Sequence, residues 1–259
     1  MGALEHTTSP EYRARELLRD LRISGYPVNP IAVAGSLSLE VRFERLDSVE
    51  GMLIRGPKSG YVIVSRDAIR PRANFTIAHE IGHFVMHKGG KYICSIDDIE
   101  SLAYDKSEES EASVFASELL LPSHLFAPDV GATDVSLTSF SALARKYDVS
   151  LTCVSIRYIK ACSDIAALVM TKGERIRYRI PSRDFRFRIR SGRSPVDRST
   201  LLSSPNRTYK RTVPADMWLE QSPVSEVHEE SLYMPSWDQT LTLITVPDDE
   251  LYDVYDEIW

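Results

Sequence analysis

The stretch Phe75-Thr76-Ile77-Ala78-His79-Glu80-Ile81-Gly82-His83 constrains this chain more than any other. On a helix of about 3.6 residues per turn, positions four apart share a face, so His79 and His83 project the same way. Two imidazoles on one rigid turn can each place a nitrogen about 2.0–2.1 Å from a zinc ion. Glu80, rotated off that face, can reach a water beside the ion, which makes it the candidate general base. Ile77, Ile81, Phe84 and Val85 add an apolar stripe at helical spacing. Gly82, a poor helix former, points to close packing at that turn. The chain has only six histidines, so the spacing argues for chemistry rather than coincidence.

A catalytic zinc site keeps three protein ligands, and a second helix over Glu108 to Leu121 is the place to seek the third. It carries Ala112, Phe115, Ala116, Leu119 and Leu120 inward, and Pro122 limits its extension. At about 100° per residue, Glu108 points roughly 40° and Glu109 roughly 60° from the centre of that apolar face, against roughly 100° for Glu111. The geometry therefore favours Glu108 or Glu109 over Glu111. Acidic residues also suit a first helical turn whatever their chemistry, and Glu118 reads as a solvated surface charge. His87 lies one turn past His83 on a helix expected to end at Gly89-Gly90; it could approach the metal, or simply complement the helix C-terminus. Tyr104 and His124 are candidate donors to an oxyanion.

At 259 residues the chain has room for a main domain and a smaller appendage, and 43% hydrophobic with 26% charged content is ordinary for a globular protein. A net charge of -6 gives no support for whole-protein attraction to nucleic acid or anionic membrane. Met1 to Arg22 lacks an apolar signal region and no later run has the length of a membrane span, so a cytoplasmic protein is expected. Cys94, Cys153 and Cys162 are scattered and read as reduced thiols.

A helix is predicted over Pro10 to Arg22 and a short one over Pro30 to Gly35. Strands follow over Leu37 to Phe43, Gly51 to Ile54 and Tyr61 to Val64, ahead of the histidine helix. Lys91 to Lys106 reads as a surface loop. Ser139 to Tyr147 and Leu151 to Lys160 form a helix pair around Asp148-Val149-Ser150, similar to a helix-turn-helix, but the second helix offers only Arg157 and Lys160 as charges, so packing rather than DNA reading is expected. Beyond Ile165 the pattern turns to strands: Ile165 to Met170, Glu174 to Ile180, Tyr209 to Val213, Glu226 to Tyr233 and Thr240 to Val246. Arg175, Arg177 and Arg179 alternate with apolar residues, as do Arg186, Arg188 and Arg190, which predicts one arginine-rich face paired with the acidic tail Asp248 to Glu257. Ser191 to Arg207 reads as a mobile loop. The expected domains are 1–135, a metallopeptidase-like domain; 136–163, the helix pair packed on it; and 164–259, a β-rich domain of unknown role.

Two blocks together, Phe75-Thr76-x-Ala78-His79-Glu80-x-Gly82-His83 and Glu109-x-Glu111-Ala112-x-x-Phe115-Ala116-x-Glu118-Leu119-Leu120-Leu121-Pro122, resemble the signature of the ImmA/IrrE family of metallopeptidases. The resemblance covers roughly Pro10 to Lys160. It implies an α+β, zincin-like fold with a small sheet, a metal helix and a following helix pair. It implies that the glutamate four residues before a position usually occupied by Asn, here Ser113, is the third ligand, which selects Glu109. Leu121 where Met is frequent and Asn74 where a basic residue is common are further departures; none removes a ligand. The resemblance further implies a zinc-dependent endopeptidase, with manganese or iron as alternatives, that cleaves a helix-turn-helix transcriptional repressor and so releases stress-response or mobile-element genes. The competing expectation is a non-proteolytic regulator that binds DNA or a partner, its metal site structural or sensory. A third is a toxin–antitoxin or prophage accessory protein that acts by binding.

Overall fold

The computed structural model describes residues 9–46, 49–56, 58–88, 107–204 and 207–247, and the backbone of 91–94. Its elements form two compact units, Met1–Pro128 with Leu143–Cys153, and Asp129–Ala142 with Val154–Trp259.

The first unit opens with α1 (Pro10–Asp20), whose N-cap Ser9 accepts from the Tyr12 amide at 3.2 Å. The helix ends as Arg22 turns left-handed at φ 57°. After α2 (Pro30–Ser36) come β1 (Leu39–Glu44), β2 (Gly51–Arg55) and β3 (Gly60–Ser65), then α3 (Arg70–Met86) and β4 (Lys91–Cys94). The four strands form one sheet in the order β1-β3-β2-β4, with β1 parallel to β3 and the other neighbours antiparallel. β4 falls in a stretch expected to be loop. Further along this unit lies α4 (Glu108–Leu120); α5 (Ser123–Gly131), α6 (Leu137–Tyr147) and α7 (Leu151–Ala161) follow in the chain, and the unit bounds fall within each of them. Between α6 and α7 the chain reverses through Asp148 at φ 55°, and Ser150 Oγ accepts from the Cys153 amide, as its place in the turn predicts.

α4 packs on both α3 and α1. Ile77 and Ile81 of α3 and Ala112, Phe115, Ala116 and Leu119 of α4 are wholly buried, and each larger side chain contributes about 1.5–3 kcal/mol of burial. The helices touch at Gly82, where an added Cβ would lie 3.1 Å from Ala112 Cα and 3.2 Å from Ala112 O. The glycine is what lets the first turn of α4 come level with the histidines. Because α1 covers α4 as well, the solvated Glu118 expected from the helical wheel is instead fully buried. Its carboxylate accepts from Ser123 N at 3.0 Å and Ser123 Oγ at 2.7 Å, which caps the start of α5, and Arg15 stands 3.5 Å away. A carboxylate with these partners can be desolvated.

The second unit carries β5 (Ala166–Lys172), β6 (Arg175–Pro181), β7 (Arg188–Ile189), α8 (Arg198–Ser203), β8 (Thr208–Pro214), β9 (Leu219–Glu220), β10 (Glu226–Met234) and β11 (Gln239–Thr245). Five of these strands form an antiparallel sheet ordered β6-β5-β11-β10-β8 over a core of Val169, Val213, Trp218, Val227 and Ile244. Two expectations change here. Ser191 to Arg207 contains α8, whose N-cap Asp197 accepts from the Ser199 and Thr200 amides. The single arginine face does not form either, because a bulge between Met170 and Thr171 shifts the register: Arg179 pairs with Val169 but Arg175 with Lys172, positions of opposite parity on β5. The acidic tail lies outside the described residues. Among those residues, no helix is long and apolar enough to cross a membrane.

Candidate metal centre

Both ends of α3 are held by side chains from distant parts of the chain. At the start, Arg70 Nε donates to Asp148 Oδ2 at 2.7 Å and Asn74 Nδ2 to the Asp148 carbonyl at 2.9 Å. At the end, the Arg55 guanidinium donates to the carbonyls of His83, Phe84 and His87 at 3.0, 2.6 and 2.8 Å. It gathers carbonyls at the end of the helix, of which that of His83 also accepts from the His87 amide, and sets a cation at the negative end of the dipole. The helix that carries the histidines is thereby fixed in length and pose.

On this helix His79, Glu80 and His83 are fully buried. His79 Nε2 and His83 Nε2 stand 3.1 Å apart, and Glu109 Oε2, from the first turn of α4, lies 3.0 Å from one and 3.3 Å from the other. The three form a group able to hold a metal ion. A tetrahedral zinc with bonds of about 2.0–2.1 Å needs donor-to-donor edges of about 3.3–3.4 Å. The three edges observed are close to that, and the donor set of two imidazole nitrogens and one carboxylate oxygen is one that zinc accepts. Burial alone would raise the Glu109 carboxyl, but the hydrogen bonds and positive charge of His79 and His83 outweigh it and hold the group well below the usual carboxylate range. The carboxylate is thus ionised and ready to bind a cation at neutral pH.

The other residues marked in the sequence have different placements. Glu108 is exposed. Glu111 pairs with His87, at 3.1 Å from Nε2 to Oε2. His87 is not on the helix: α3 stops at Met86 and His87 is extended, with φ -107° and ψ 149°. Its ring is buried, with Nδ1 2.9 Å from His83 Nδ1, so it contacts a ligand of the triad from behind. His124 is exposed on α5, and Tyr104 lies outside the described residues, as do Gly89 and Gly90.

Ser113 and Arg55 join the site without having been read as part of it. Ser113 Oγ is 3.2 Å from His79 Nδ1 and orients that ring. Its signal was legible, since it is a polar residue one turn from Glu109 on the apolar face of α4. Arg55 ends a strand and has no local mark of its partners, which lie 28 to 32 residues away. Gly51 of β2 supplies room for Glu80: a Cβ there would meet Glu80 Oε1 at 3.0 Å and Thr76 Cγ2 at 2.3 Å.

Residues 34–158 match the model of the peptidase M78 family described as the IrrE N-terminal-like domain. No curated protein matches the chain. Among solved structures, a Mycobacterium tuberculosis transcriptional regulator is similar with a TM-score of 0.62, covering 91% of this chain and 75% of that one at 15% identity. At that identity the likeness is one of fold.

Proposed function

We propose that this chain is a metal-dependent endopeptidase: residues 34–158 form an α+β, zincin-like domain of the ImmA/IrrE family of metallopeptidases, and its centre has the ligands and the base that peptide hydrolysis needs. The observation that carries the reading is the convergence of His79 Nε2, His83 Nε2 and Glu109 Oε2 to within 3.3 Å of one another, one residue along the helix from Glu80.

His79, His83 and Glu109 would hold the ion, with zinc best suited to the set and manganese or iron as alternatives. Such an ion supplies Lewis acidity, which polarises a carbonyl oxygen and makes water nucleophilic near neutral pH. The chain's own groups do the rest. Glu80 takes a proton from the attacking water and delivers it to the leaving amine as the C–N bond breaks. Ser113 and Arg55 hold the ring of His79 and the end of α3 so that these groups keep their places during the reaction.

The substrate we favour is a helix-turn-helix transcriptional repressor, whose cleavage would release stress-response or mobile-element genes; what supports this reading is the resemblance of the two signature blocks to the ImmA/IrrE metallopeptidases. The test is to incubate the zinc-loaded protein with candidate helix-turn-helix repressors, starting with any encoded beside it, and follow the intact mass of each. The expected outcome is two fragments whose masses sum to the repressor plus one water, and no fragments once a chelator is added. An intact repressor that nonetheless binds the chain tightly would favour the non-proteolytic regulator instead.

A further inference from the structure

We propose that His87 and Glu111 are positioning residues for His83, forming a relay of contacts that holds that imidazole with its Nε2 towards the metal. This rests on the metal-site reading above and adds two residues to it.

His87 stands between the two side chains. Its Nε2 lies 3.1 Å from Glu111 Oε2 and its Nδ1 lies 2.9 Å from His83 Nδ1. With the back of its ring held in this way, His83 turns Nε2 to His79 Nε2 and Glu109 Oε2, at 3.1 and 3.3 Å. A contact at the outer nitrogen of a ligating imidazole fixes the orientation of the ring.

The backbone is built for this contact. His87 leaves the helix into extended conformation, yet its amide still donates to the His83 carbonyl at 3.0 Å and its own carbonyl accepts from Arg55 at 2.8 Å. The ring, 5% exposed, is fixed against His83, whereas the Glu111 side chain at 46% is half in solvent. A polar contact exposed to that degree adds little to folding. Its value is in orienting a ligand, an outer contact whose loss typically costs about 10–100-fold in metal affinity.

The test uses the full chain, with zinc as the probe. The zinc dissociation constant is measured by competition with a chromophoric chelator, and the melting of the metal-free protein is recorded alongside. Glu111→Ala is expected to weaken zinc about 10–100-fold with the metal-free melting curve unmoved, and Glu111→Gln, which keeps a polar side chain of the same length beside His87 Nε2, to recover most of that loss. His87→Phe combined with Glu111→Ala should be no weaker than His87→Phe alone, because a relay is lost once. Wild-type affinity in Glu111→Ala, or additive losses in the double variant, would overturn the relay while leaving the metal site intact. If the wild-type chain itself takes up no zinc, it is the site reading that fails.

Discussion

Glu80→Gln is expected to lower peptide hydrolysis about 10²–10⁴-fold while the metal stays bound. The two side chains are nearly isosteric, so the exchange respects the tight space beside Gly51, where a single extra Cβ would overlap Thr76 Cγ2 at 2.3 Å and press on Glu80 Oε1 at 3.0 Å. What the amide cannot do is take a proton from water and return it to the amine. The loss corresponds to about 2.7–5.5 kcal/mol of transition-state stabilisation, and none of it should come from the ligands, since His79, His83 and Glu109 are untouched. Cleavage rate and metal content measured on the same preparations check this. Residual cleavage within a few-fold of wild type would remove Glu80 from the role of base.

The second large effect is one of stability and lies in the β-rich unit. Glu229 on β10 is wholly buried, and its carboxylate accepts from Trp218 Nε1 at 2.6 Å, from the Tyr209 hydroxyl, and from Arg211 Nε at 3.3 Å directly across the strand pair. Burial, and then the neighbouring Glu229 carboxylate, pushes the Tyr209 hydroxyl above its ordinary range, which keeps it protonated as a donor. Glu229→Leu would leave Trp218 N–H, in the middle of the apolar core, and Tyr209 O–H without acceptors, at about 1–3 kcal/mol each, and would strip Arg211 of its counter-charge. The expected destabilisation is about 3–5 kcal/mol, read as a fall in the denaturant midpoint. Glu229→Gln, which keeps one acceptor, should fall between. A change under about 1 kcal/mol in Glu229→Leu would show that the network relaxes without cost.

Much of the centre was legible because helical periodicity ties sequence spacing to direction. His79, Glu80 and His83 needed only that rule, and Gly82 announced a close helix contact that occurs at Ala112. Angular position on α4 limits the third ligand to Glu108 or Glu109 and disfavours Glu111, and the structure brings Glu109 to the two histidines. The misreadings share one cause, which is that local pattern does not report what covers a surface. Glu118 sits off the apolar stripe of α4, but α1 packs there too, so the charge is buried and capped. Continuing the helical period puts His87 on the helix, whereas Arg55, distant in sequence, gathers the last carbonyls and the chain turns out after Met86. In the β-rich unit, alternation predicted one arginine face, and a single bulged residue divided it. Such register shifts depend on the partner strand and have no mark within β6 itself.

Counting metal ions per chain, and identifying the atoms around them, tests the central claim most directly. Zinc added to the metal-free protein should bind at one ion per chain, with an X-ray absorption spectrum fitted by two imidazole nitrogens and low-atomic-number oxygen donors at about 2.0–2.1 Å. Glu109→Ala and His83→Ala should each lose that tight site. Zinc bound with wild-type affinity by both variants, or no stoichiometric zinc in the wild-type chain, would contradict a centre built from His79, His83 and Glu109.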